Sequence, residues 1–178
     1  MARGQKSDSF ADSELRRMVL VFAVLVITLN LAVWQLGRTG SLIHFETFTA
    51  TIAAWSVSLS GIAVAMSGNV VYLPSVTWLV NTECTALFVM IVYVALILAY
   101  PASVRAKLIA LVLGLPAIFV TNIVRLFVLA WLTELDAAYG VFFHDYVWQV
   151  AFVLMVVVLW VTWVDRVVRR EREDAVCR

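Results

Sequence analysis

The sequence predicts an all-α integral membrane protein: four transmembrane helices, one helix on the outer interface, and a short hairpin or loop ahead of a cysteine that opens the second span. Three observations predict it. Of 178 residues 63% are hydrophobic and the mean hydropathy is +0.97, more apolar surface than one soluble core of this size can hide. The apolar residues gather in long runs nearly free of charge. The basic residues fall almost entirely in three short patches between or outside those runs, which sets the orientation.

Residues 1–17 are polar and carry Arg3, Lys6, Arg16 and Arg17, the composition of a cytosolic tail whose first residues are expected to be disordered. The run over 18–36 holds no charge, and about 19 residues at 1.5 Å each give roughly 28 Å, close to the hydrocarbon thickness. It is long enough to span and no small-residue cleavage site follows, so it reads as a membrane helix rather than a secretory signal. Segment 41–67 is long and mostly apolar, yet His44, Glu46, Thr47, Thr49, Thr51, Ser56, Ser58 and Ser60 interrupt it. Gly68-Asn69 and Pro74, set among Val70, Val71, Tyr72 and Val76 to Val80, mark 68–83 as a hairpin or loop. Runs over about 84–100, 107–132 and 145–164 complete the spans of a single membrane domain, 18–164, and 165–178 form a second basic cytosolic tail. Pro116 lies inside the third run, where it removes one backbone donor and is expected to kink the helix.

Charge decides whether segment 41–67 crosses. If it does not, the two tails and the 101–107 loop share one side and collect eleven of the thirteen Lys and Arg residues. If it does, the loop and the C-terminal cluster both lie outside, against the positive-inside rule. Four spans with an interfacial or re-entrant 41–67 segment follow. Of the two basic residues left over, Arg38 follows the first span and can snorkel. Arg125 lies inside the third, where an unpaired guanidinium costs roughly 2.5 kcal/mol or more.

That topology brings three side chains to one level of the outer face: Cys84 opening the second span, Arg125 near the outer end of the third, and His144 opening the fourth. Asn122, three residues before Arg125, shares its helix face. A thiol becomes a strong nucleophile when an imidazole or cation favours the thiolate. His144 can take that proton and return it to a leaving amine, and Arg125 can stabilise the thiolate or an oxyanion where the local dielectric is low. The set suits acyl transfer through a thioester, with a Cys84 thiol expected to titrate below its usual value of about 8.5. Cys177, the other cysteine, lies in the charged tail across the membrane, which excludes an intramolecular disulfide.

Cys84 at the start of a span, Asn122-Ile123-Val124-Arg125 within the next and His144 opening the last resemble the exosortase and archaeosortase family, over roughly residues 68–163. The small size and single leading span are similar to the compact exosortase H subclass. The resemblance implies a cysteine transpeptidase or protease that needs no cofactor, seated in the bacterial inner membrane with both termini in the cytosol and its site on the periplasmic side. Its partners would be exported proteins with a C-terminal sorting signal, a recognition motif followed by a membrane helix and a basic tail. Many relatives follow the cysteine with Ser-Gly, whereas Thr85-Ala86 stand here, so a donor from that position would have to come from Thr85 or a backbone amide.

Other readings compete for the same residues. A lone membrane cysteine is more often a small hydrophobe, and Arg125 can be a strut paired with Glu83 or Glu134, as in a non-enzymatic four-helix scaffold or a small transporter subunit. His144 can simply cap its helix, and His44 is a rival base on the same outer side. Trp34, Trp55, Trp78, Trp131 and Trp163 read as interfacial belts. Trp148, four residues after His144 on one helix face, is placed to line a substrate groove. His44, Glu83, Cys84 and His144 lack the close spacing of zinc ligands, so no metal is expected. Outside the short cytosolic patches no basic surface exists for nucleic acid.

Overall fold

The computed structural model describes residues 2–136, 143, 147–170 and 173, with side chains from Ser13 onward. Helix α1, Ala2–Arg38, runs back through the polar leader instead of beginning near Met18. Helix α2 covers Ile43–Ser58. Strands β1 (Ala65–Ser67), β2 (Val70–Tyr72) and β3 (Thr77–Leu79) form an antiparallel meander, after which a 3-10 turn over Thr82–Thr85 leads into α3, Leu87–Ala99. Helix α4 spans Val104–Leu135, unbroken through Pro116, and α5, Trp148–Trp163, passes into a π-helical turn at Val164–Val168. His144 and Cys177 lie outside the described residues.

The chain is therefore mostly helical but not all-α. The helix in segment 41–67 ends at Ser58, and the last residues of that segment pair as β1. Gly68 has φ +61°, which a side chain would resist, and with Asn69 it makes the two-residue turn joining Ser67 to its partner Val70. Strand β3 returns on β2 in the register Val71 to Trp78.

Three helical segments are long and apolar enough to cross a membrane: Ser13–Arg38, Val104–Leu135 and Trp148–Val168. Helix α3 is apolar but only 13 residues long, about 20 Å. It is shorter than the apolar run that encodes it because the chain is still turning at Cys84. Helix α1 packs along α3 and exposes Leu20, Val24, Ile27, Leu31 and Trp34, a surface that water penalises and a hydrocarbon phase accepts.

Two cores result. Tyr93 and Ile97 of α3, Ala106, Ala110 and Ile118 of α4, and Phe152, Val156 and Trp163 of α5 form one. Two side chains stitch it: Tyr93 Oη donates to the Ala110 carbonyl at 3.0 Å and Trp163 Nε1 to the Ala106 carbonyl at 2.8 Å. Gly114 lies against the Tyr93 ring, so closely that a Cβ there would collide with it. The second core joins Ala50, Ala54 and Val57 of α2 to Val71, Leu73, Val80 and Ala130. It fixes the meander between α2 and the far end of α4, where Glu134 Oε1 accepts from the Ser75 amide at 3.1 Å and the Ser75 hydroxyl at 2.6 Å. Cys84 packs on this second core, two residues before Ala86 enters the first.

Candidate active site

The Cys84 turn is shaped by its own sequence. Asn81 caps it, its Oδ1 accepting from the amides of Glu83 at 3.1 Å and Cys84 at 3.3 Å. The buried Thr85 hydroxyl donates to the Thr82 carbonyl at 2.6 Å. Ala86 then takes φ +56°, a left-handed conformation that costs a non-glycine residue on the order of 1 kcal/mol and redirects the chain into α3. Thr85 is thus a brace of the turn, and its hydroxyl is committed to Thr82 rather than offered to a substrate.

From α4, the fully buried Asn122 donates through Nδ2 to the Cys84 carbonyl at 2.7 Å. One turn on, Arg125 is only 8% exposed, and its charge acts on the thiol. Its guanidinium carbon lies 5.8 Å from the centroid of the Phe152 ring, and Trp148 meets the same ring at 6.5 Å. Asn122 Oδ1, Arg125 Nε and Trp148 Nε1 are all buried and find no hydrogen-bond partner among the described residues. Asn122 and Arg125 thus bring an acceptor and a donor, each costly to leave unmade, to the turn that carries the cysteine, while Trp148 lies beyond Phe152. Glu134 spends its carboxylate on Ser75, and among the described residues no ion pair joins Arg125 to Glu83 or Glu134.

Burial pushes the Cys84 thiol above its ordinary value. A backbone hydrogen bond from Asn81 and the Arg125 charge pull it back, while Glu83 and Glu46 add to the upward push. Among the described residues desolvation thus outweighs the cation, whereas the expected lowering also counts on an imidazole. His144, the expected base, lies outside the described residues; its rival His44 is exposed at the start of α2.

The structure thus brings together Cys84, Asn122 and Arg125, with Trp148 beside Arg125 through Phe152. Sequence reasoning saw Glu46 and Asn81 but assigned neither a role at the site. The available signals were an acid inside an otherwise apolar segment and an Asn three residues before the cysteine, the spacing of a cap. Among the described residues no three of His, Cys, Asp and Glu gather closely enough to hold a metal ion.

Long apolar helices bundled behind a cysteine, a buried arginine and a buried asparagine define a polytopic membrane protein with a polar site at one end of its bundle. The transmembrane exosortase family profile matches residues 10–161, from α1 through most of α5, and the chain belongs to that family. It is accordingly a sorting-related membrane enzyme. No curated protein and no solved structure matches it.

Proposed function

We propose that the chain is a cysteine transpeptidase or protease that cleaves the C-terminal sorting signal of exported proteins, with Cys84 as nucleophile. The observation that carries this reading is the hydrogen bond from Asn122 to the Cys84 carbonyl beside a buried Arg125 whose charge reaches the thiol. His144 takes the thiol proton, and the sulfur attacks the carbonyl carbon of the scissile peptide bond. Arg125 stabilises the resulting oxyanion. As the oxyanion collapses the C–N bond breaks, the amine leaves with the proton from His144, and a thioester remains. An amine acceptor or water then attacks the thioester and restores the thiol. Arg125 Nε and Trp148 Nε1, without partners among the described residues, can donate to substrate carbonyls, and Asn122 Oδ1 can accept from a substrate amide.

The reaction belongs on the periplasmic side of a bacterial inner membrane, with both chain termini cytosolic. That orientation rests on the distribution of Lys and Arg between the chain ends and the Pro101–Lys107 loop.

The test is conversion of an exported protein bearing such a signal, followed by its mobility shift in cells expressing wild type, Cys84→Ala or Cys84→Ser at matched membrane levels. Loss of processing with the protein still inserted is expected. Undiminished processing by Cys84→Ala would refute the reading and favour a scaffold, in which a small substitution at a helix entrance is nearly silent.

A further inference from the structure

Helix α2 carries a single carboxylate, Glu46, and directs it to the segment that presents Cys84. Glu46 Oε1 accepts from the Thr82 hydroxyl at 2.7 Å and Oε2 from Asn69 Nδ2 at 3.4 Å. The Asn69 amide nitrogen also donates to the Val80 carbonyl at 3.1 Å, and the Val80 amide returns a bond to the Asn69 carbonyl at 2.9 Å. Thr82, held by its side chain to Glu46, offers its own carbonyl to Thr85 at 2.6 Å. One carboxylate therefore reaches both flanks of the segment Val80–Thr85, through Asn69 ahead of the cysteine and through Thr82 at the base of its turn. Both of these partners are neutral, so the negative charge stays beside the site.

We propose that Glu46 is a positioning residue of this site: by fastening Thr82 and Asn69 to α2 it holds the Cys84 turn against Asn122 of α4 and sets the electrostatic surroundings of the thiol. Sequence separation argues for a purpose beyond local folding, because the acid meets Thr82 across 36 residues, where a helix-surface acid would ordinarily stay in solvent. Among the described residues the charged groups acting on the thiol are Arg125 from α4, Glu46 from α2 and Glu83 from the turn itself. Arg125 favours the thiolate and the two acids oppose it, so α2 and α4 pull the thiol in opposite directions. The catalytic consequence rests on the proposed function; the effect on the thiol does not.

The experiment uses full-length protein in lipid nanodiscs with Cys177→Ser as background, measuring the rate of Cys84 alkylation by iodoacetamide against pH, together with signal processing in cells. Glu46→Gln keeps an oxygen for Thr82 and removes the charge. Its half-maximal alkylation is expected at lower pH, because removing a negative neighbour favours the thiolate. Thr82→Val keeps the charge and breaks the link. Processing is expected to fall by about tenfold or more, the cost of a reacting atom displaced by a fraction of an ångström, with no downward shift of the alkylation midpoint. An unmoved midpoint in Glu46→Gln, or undiminished processing in Thr82→Val beside an active wild type, would overturn the proposal. A shifted midpoint in a protein whose wild type processes no signal would uphold the Glu46 inference and overturn the protease reading instead.

Discussion

Substituting Gly114 by alanine tests the contact that sets α3 against α4. In an isolated helix the change would stabilise by about 1 kcal/mol, since glycine is the poorer helix former. In this fold the new Cβ would collide with the Tyr93 ring, which is 1% exposed and anchored through its hydroxyl to Ala110. A buried ring so held cannot swing away, and overpacking of this kind costs about 1–3 kcal/mol. The net expectation is a loss of up to about 2 kcal/mol, the balance of these two terms. In a Tyr93→Leu background the obstacle is gone, and the same substitution should now stabilise by up to about 1 kcal/mol. The assay is equilibrium unfolding in mixed micelles of a mild detergent and sodium dodecyl sulfate, followed by circular dichroism for the four members of the cycle. A change of sign between the two backgrounds is the signature. Equal effects of Gly114→Ala in both would refute the packing described for α3 and α4.

Arg125→Lys should lose most processing although the charge remains, because an ammonium cannot reproduce the planar fork of donors. Arg125→Gln removes the cation that opposes burial at Cys84, so half-maximal alkylation should move to higher pH, read by the same iodoacetamide profile. Asn122→Leu leaves the Cys84 carbonyl without its donor and should destabilise the protein by about 1–3 kcal/mol in thermal unfolding while lowering processing.

The membrane helices were legible because hydropathy and the placement of Lys and Arg are properties of long stretches and tolerate errors of a few residues. The convergence of Cys84 with Asn122 and Arg125 followed from topology together with the three-residue spacing of the α4 pair. Gly68-Asn69 announced a turn through its backbone chemistry. The meander itself was less visible, since three-residue strands carry too few alternations to separate from a loop, and β1 lay in a segment whose apolar content suited a helix equally well. Glu46 could be seen in the sequence, but what it meets depends on how α2 docks, which no local pattern encodes. The same limit hid the burial that raises the thiol, which arises from packing on Val80, Trp78 and their neighbours.

Helices α3 and α4 lie side by side but differ in length, 13 residues against 32, or about 20 Å against about 48 Å. If α3 crosses as a fourth span, a bilayer meeting its flank would have to be compressed to match it, at a cost of fractions of a kcal/mol per ångström of mismatch. Compression of one leaflet draws the headgroup region, and the water within it, down towards Cys84. On the proposed function, the short helix would then act on lipid as well as on protein, letting the cut site of a membrane-anchored substrate reach the thiol without being lifted out of the bilayer.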